Sequence, residues 1–372
     1  MDATNHFIYR RTMRFYFIVI IVCLQILQAC SSSSNKMYYT QFSNYYSNPE
    51  LYFFDFVEKG SIIEVMHLLE EKIVDVNVKD SKGRTAIIIA ATKGHLGMVE
   101  YLVNQKSDVN IHDTEGATAL MIAVNNKRLD IATVIVNHNA DVNVRDHNGD
   151  TPLIIAIEYS DLEFIKLLLE KGADVEVQDD EGYSALMTGA FYGYREIVSL
   201  LLSAKCNADK KNNKGEAALH IAIKNEHEET ARILIEHGAE LNLKDIYGTT
   251  PLMLAIDYYY IDTIKLLLDK GADPDKRDYQ GMTALMRAFS YGYMDVMPLL
   301  YEKNADLNVQ DYQGMTILML ASYHGYLNIV KELVYRGAVV ALRNNKGMTA
   351  LDLARGSNYQ DVVAFLENNT GG

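Results

Sequence analysis

A row of aspartate and asparagine side chains is the most regular feature of the sequence that could do chemistry. Each member stands three residues before a glycine, and the pattern recurs every 33 residues. An Asx side chain followed by a glycine that can take a positive φ forms a tight turn. The row therefore predicts a series of turns rather than an acid–base or metal site. Its members are Asp80, Asp113, Asp146, Asp179, Asn212, Asp245, Asp278, Asp311 and Asn344.

The other nucleophiles and metal ligands are scattered along the chain. The sequence contains no GxGxxG, P-loop, HExxH, GxSxG or CxxC motif. His112 and His147 stand in equivalent loop segments, where two isolated histidines are more often ordinary loop residues than metal ligands. Cys206 is expected to be a small buried filler without a disulfide partner. We therefore expect no catalytic residue, no metal site and no cofactor, and the chain is not expected to be an enzyme.

The glycines that follow the Asx row place the turns within a repeated unit. A small residue follows each glycine seven positions later, and nine copies succeed one another from Gly83 to residue 369 without insertion or deletion. Residues 51–82 match the second half of the unit with one extra residue, so they are predicted to form a degenerate repeat that caps the array. The glycines are Gly83, Gly116, Gly149, Gly182, Gly215, Gly248, Gly281, Gly314 and Gly347.

Each unit encodes two short helices. Thr or Ser, twice followed by proline at Pro152 and Pro251, is typical of a helix start. A second segment carries apolar residues at i, i+1, i+4 and i+5, which indicates one buried face. It ends at a loop such as 271–273, where glycine terminates the helix. Pro298, which aligns with Glu100 in this second helix, is expected to remove a helical donor and soften its repeat.

A turn and two helices in 33 residues resemble the ankyrin repeat. The segments TPLIIA at Thr151 and TPLMLA at Thr250 are the closest copies of its motif. The resemblance implies an all-α solenoid whose concave face binds a protein partner. One departure is systematic: the histidine expected to bond across repeats is present only as His220, and methionine or isoleucine fills most equivalent positions. The seam between repeats should therefore depend on packing.

Tyrosine and methionine accumulate from the fourth repeat onward, at the turns and after the glycine between the two helices. Under the ankyrin resemblance these positions line the concave face, so they form the predicted partner-binding stripe. The alternative is that tyrosine merely covers helix ends in a chain with 25 tyrosines. The predicted partner-binding residues are Tyr183, Tyr194, Tyr247, Tyr260, Tyr279, Met282, Tyr293, Tyr312, Met315 and Tyr326.

The amino-terminal segment predicts an address. Residues 14–30 read RFYFIVIIVCLQILQAC, a basic start, an apolar run too short to span a membrane as a helix, and a small residue before cysteine. This segment resembles the signal of bacterial lipoproteins, which implies a signal peptide over 1–29, lipidation at Cys30 and a flexible tether over 30–50. A plain signal peptide or membrane anchor is the alternative, and Met13 is an alternative start.

Charge narrows the partners. The formal net charge is −14, so the phosphate backbone of nucleic acid would be repelled. We expect a monomeric, lipid-tethered ankyrin solenoid in the bacterial cell envelope that binds a protein of unknown identity and contacts the membrane only through its anchor. The alternative is a secreted effector that binds host proteins.

Overall fold

A computed structural model describes residues 48–369. The predicted signal peptide, Cys30 and nearly all of the predicted tether lie outside these residues. The regular structure of the described chain consists of 20 helices, with one isolated antiparallel bridge between Gln178 and Ser184. This confirms the all-α repeat prediction.

The helices come in pairs, each pair belonging to one repeat. Numbered in chain order, they are α1 (Pro49–Lys59), α2 (Ile62–Glu70), α3 (Ala86–Lys93), α4 (Leu96–Asn104), α5 (Ala119–Asn125), α6 (Leu129–Val136), α7 (Pro152–Glu158), α8 (Leu162–Glu170), α9 (Ala185–Tyr192), α10 (Arg195–Ser203), α11 (Ala218–Lys224), α12 (Glu228–Glu236), α13 (Pro251–Asp257), α14 (Ile261–Asp269), α15 (Ala284–Tyr291), α16 (Val296–Glu302), α17 (Ile317–Tyr323), α18 (Leu327–Tyr335), α19 (Ala350–Gly356) and α20 (Gln360–Asn369).

The chain forms two compact units, and the first ends at Thr114. Its described part contains α1 to α4, with α1 packed against α2 and α3. Helix α1 begins at Pro49, two residues before the predicted start of the capping repeat, because proline pre-sets φ for the first helical turn. Phe53 and Val57 of α1 are fully buried. The capping segment thus contributes a core of its own.

The second unit begins at Glu115 and contains α5 to α20. Within it, the first helix of each repeat packs against the first helix of the next, and several second helices pack against one another in the same order. The predicted leucine column is 1% exposed from Leu120 to Leu318, whereas Leu351 in α19 is half-buried. The column therefore forms the centre of this unit.

The Asx residues form turns, as their spacing predicts. The Asp245 carboxylate accepts hydrogen bonds from the backbone N–H groups of Tyr247 and Thr249, each at 2.8 Å. Successive turns are joined by backbone bonds, such as the one from Tyr279 N–H to the carbonyl of Tyr247 at 3.1 Å. A Cβ on Gly248 would lie 2.7 Å from the backbone nitrogen of Tyr279, so this close approach requires glycine.

The seam between repeats also follows the prediction. His220 is fully buried, and its Nε2 donates across the repeat boundary to the carbonyls of Leu243 at 3.1 Å and Thr249 at 3.3 Å. Its Nδ1 accepts from Ala217 N–H, which fixes the neutral tautomer, and burial lowers the histidine pKa. In the second unit the equivalent side chains are mostly buried methionines that rely on packing: Met121, Met187, Met253, Met286 and Met319.

The expectation for Pro298 needs correction. Helix α16 begins at Val296 and has 7 residues, whereas α14 and α18 have 9. Pro298 is therefore the third helical residue, and a first-turn N–H has no intrahelical acceptor in any helix. The chain avoids the cost of an interior proline by starting the helix later.

Candidate functional site

The ten predicted partner-binding residues lie in two rows, not in one stripe. The turn-tip row lies at the turns before the first helices, and the inter-helix row lies in the loops after them. A first helix of 8 residues such as α15 separates the rows by about 12 Å. The turn-tip row consists of Tyr183, Tyr247, Tyr279, Met282, Tyr312 and Met315, and the inter-helix row consists of Tyr194, Tyr260, Tyr293 and Tyr326.

The turn-tip row presents large side chains to solvent. Tyr247, Tyr279 and Tyr312 are 69%, 62% and 61% exposed. The Arg277 guanidinium lies 5.0 Å from the centre of the Tyr312 ring, a cation–π contact. Met282 and Met315 are half-buried beside these rings. Because the three tyrosines are so exposed, they remain available for a partner.

The inter-helix row is used more by the fold. Tyr194 stacks on Tyr192 at 5.4 Å, and Tyr293 stacks on Tyr291 at 5.6 Å. Tyr260 forms the same kind of stack on the ring two residues before it, at 5.8 Å. Tyr326 packs edge-on against Phe289 at 5.6 Å. For this row the structure favours the alternative stated above, in which the aromatic rings cover helix ends.

One tyrosine in these loops escaped the sequence reasoning. Tyr259 has a φ of 60°, in the left-handed region that a tyrosine seldom takes. Its ring lies 4.6 Å from that of Tyr293 in the next repeat, and its hydroxyl donates to Asp295. Other repeats have glycine at this position, as at Gly193 and Gly292, so a non-glycine residue there was the available signal.

Between α7 and α9 lies a pocket that the sequence reasoning also missed. It is open to solvent and has a volume of about 180 Å³, well above the roughly 10–15 Å³ that one water needs. Three carboxylates and three aromatic rings line most of it. We call it the acidic pocket, and its lining residues are Ile154, Glu158, Asp179, Glu181, Tyr183, Thr188, Phe191 and Tyr192.

The aromatic wall of the acidic pocket is continuous. The Tyr183 ring meets Phe191 edge-on at 6.4 Å, and Phe191 meets Tyr192 edge-on at 5.0 Å. Tyr192 stacks in turn on Tyr194. This series of rings runs along α9 and joins the turn-tip row to the inter-helix row in this repeat.

Carboxylates near the acidic pocket repel one another. Desolvation and the charges of Asp146, Glu158, Asp179 and Asp180 raise the pKa of Asp150 to about 7. Desolvation and the charges of Asp179 and Asp146 also raise the pKa of Glu158. Within residues 48–369, no lysine or arginine forms an ion pair with Asp150, Glu158, Asp179 or Glu181, and Arg145 pairs with Asp180 instead.

Equivalent positions in later repeats carry compensated charges. Glu216, which aligns with Asp150, pairs with Lys224 at 2.7 Å, and Lys224 aligns with Glu158. Burial alone would raise the Glu216 pKa, but hydrogen bonds from Lys224 and Asn212 outweigh it and lower that pKa. The acidic pocket is therefore the place on this surface where the fold leaves negative charge unpaired.

A comparison with known families decides the identity of the fold. The family model described as ankyrin repeats (3 copies) matches residues 54–146, 138–212, 193–278, 247–311 and 285–371. The chain belongs to the ankyrin-repeat family. Ankyrin repeats are protein–protein interaction modules and are generally not enzymes. The search of curated proteins finds no significant match.

The isolated cysteine and histidines fit an ankyrin-repeat protein. Cys206 is half-buried rather than fully buried, and burial raises the pKa of its thiol to about 11, so it is not an activated nucleophile. No group of three or more His, Cys, Asp or Glu side chains in the described chain could hold a metal ion. None of the helices described here is long and apolar enough to cross a membrane.

Proposed function

We propose that this ankyrin-repeat chain binds its protein partner through the turn-tip row and the adjoining first helices of the second unit. The observation that carries the proposal is the exposure of Tyr247, Tyr279 and Tyr312, which recur in register on successive turns. Tyrosine combines a large contact area with low rotamer entropy and a polar tip, and it is enriched at binding hot spots.

Replacing Tyr247, Tyr279 and Tyr312 together by serine tests this proposal. Partner capture by crosslinking in intact cells should weaken by at least tenfold, since hot-spot side chains contribute most of the binding energy. The melting temperature should stay unchanged because these rings are exposed. Tyr335→Ser is the matched control, as Tyr335 is 77% exposed at the end of the second helix α18. Undiminished capture by the triple variant would refute the proposal.

We also propose that the protein is tethered to the bacterial envelope by lipid attached to Cys30. The support is the sequence LQAC directly after an apolar run. Cys30→Ala should abolish incorporation of labelled palmitate and release the protein from the membrane fraction. Unchanged palmitate labelling would refute lipidation at Cys30. A parent chain found in the culture medium would favour the secreted alternative.

A further inference from the structure

We propose that the acidic pocket receives an arginine side chain of the partner protein. This inference rests on the proposed protein-binding function and specifies one anchor residue of the partner. It predicts that the bound segment of the partner is basic, with one arginine seated between α7 and α9.

The charge of the pocket calls for a cation. Glu158, Asp179 and Glu181 line the pocket, and their neighbours Asp146 and Asp150 add negative charge. Elsewhere on the first helices the protein supplies its own cation, as Lys224 does for Glu216 and Arg287 does for Asp278 at 2.8 Å. The described residues around the acidic pocket provide no such ion pair for the three lining carboxylates. A cation that arrives with the partner would complete the arrangement.

The aromatic wall of the pocket selects arginine over lysine. A guanidinium group is planar, stacks on aromatic faces and forms paired hydrogen bonds with carboxylates. The pocket offers the rings of Tyr183, Phe191 and Tyr192 beside carboxylates. Phe191 and Tyr192 are 41% and 40% exposed, so their rings are accessible to a ligand. An ammonium group is a strongly hydrated point charge and would use this combination less well.

The pocket lies within the proposed binding surface. Tyr183 belongs both to the turn-tip row and to the pocket wall, so a protein lying on that row also covers the pocket. Anchor side chains seated in pockets and surrounded by water-excluding contacts are typical of interface hot spots, and arginine is enriched among them.

A titration with short peptides tests the proposal without knowledge of the partner. The full chain in detergent, labelled at its isoleucine methyl groups, is titrated with an end-capped Gly-Arg-Gly peptide. Equivalent peptides carry lysine, or citrulline, which has the shape of arginine but no charge. The Ile154 methyl signal should shift with the arginine peptide, because Ile154 lines the pocket. Citrulline should bind at least tenfold more weakly, and lysine should bind more weakly than arginine.

Variants assign the response to the pocket. Glu158→Gln and Glu181→Gln should each weaken arginine binding several-fold without changing the melting temperature. Glu163→Gln makes the same chemical change in the same repeat but on α8, where Glu163 is paired with Lys166, and it should bind as the parent does. An absent Ile154 shift, equal binding of citrulline or lysine, or undiminished binding by both pocket variants would each overturn the proposal.

The two proposals fail in different ways. Arginine-specific shifts without any captured partner would count against the binding function while leaving the pocket assignment intact. Capture that depends on the turn-tip tyrosines but is unaffected by Glu158→Gln and Glu181→Gln would remove the arginine and leave the binding function intact.

Discussion

The repeats around α7 and α9 and those around α11 to α15 treat buried charge in opposite ways. In the later repeats, Glu216 is paired with Lys224, and Arg287 bridges Asp257 and Asp278. In the earlier repeats, aspartate and glutamate occupy the positions equivalent to Glu216 and Lys224. One backbone plan therefore carries an internally neutralised surface in one part and an unneutralised surface in another.

This difference teaches that an ankyrin framework tolerates unpaired carboxylates at a cost in stability. Desolvated like charges raise one another's pKa, and each tenfold fall in an acid dissociation constant corresponds to about 1.4 kcal/mol before solvent screening. A sequence that wanted stability alone would place a lysine opposite Asp150, as it does opposite Glu216. The omission is consistent with a surface whose counter-charge comes from a partner.

Removing the central cation of the paired region should have the largest effect. Arg287→Ala leaves Asp257 and Asp278 without their cation in a largely buried setting, which should lower the free energy of unfolding by about 3 kcal/mol. Urea denaturation followed by circular dichroism measures the loss. Arg232→Ala, which breaks the exposed pair with Glu229, is the control and should cost less than about 1 kcal/mol. Equal losses in the two variants would break the comparison.

Neutralising one carboxylate in each region should shift stability in opposite directions. The folded pKa of Asp150 lies near 7 and its ordinary value is 3.8, so ionisation disfavours the folded state as pH rises through this window. Asp150→Asn should therefore stabilise the protein at pH 8 by about 1–2 kcal/mol after solvent screening, with little effect at pH 4.

Glu216→Gln provides the matched opposite. The lowered pKa of Glu216 means that its ionised form stabilises the fold, and this stabilisation is present above its ordinary pKa of 4.5 and lost as pH falls through the lower folded value. The variant should be less stable than the parent at pH 8, and the difference should shrink in acid. Thermal melts across pH 4 to 8 measure both variants, and changes of the same sign would contradict the comparison.

The smallest expected effect converts one region into the other. Glu158→Lys places a cation at the position that Lys224 occupies in its repeat, where it could pair with Asp150. The free energy of unfolding should rise by about 1 kcal/mol at pH 7.5, since repulsion is replaced by an ion pair. The Ile154 methyl signal should no longer respond to the arginine peptide. A destabilised variant would show that the two repeats are not equivalent at this pair.

The sequence alone predicted what repeats every 33 residues. The Asx turns, the leucine column and the hydrogen bonds of His220 follow from residue type and register, because each copy solves the same packing problem. The late start of α16 was missed because a proline is costly only inside a helix, and nothing in the periodicity fixes where that helix begins.

The candidate site was harder to predict because it depends on contacts between non-identical copies. Asp150 and Glu158 are eight residues apart, and only the Glu216–Lys224 pair shows that these two positions interact. The division of the tyrosines into two rows likewise required the length of the first helices. Tyr259 contacts the following repeat, a contact that its residue type alone does not indicate.

Site-specific photo-crosslinking in intact cells tests the binding surface most directly. A photoreactive phenylalanine analogue replaces Tyr279 in the turn-tip row, Phe191 in the acidic pocket, or Tyr335 on α18, all of which are more than 40% exposed. We predict that Tyr279 and Phe191 give an adduct with the same protein and that Tyr335 gives none. An adduct formed at Tyr335 but not at Tyr279 would contradict the proposed surface.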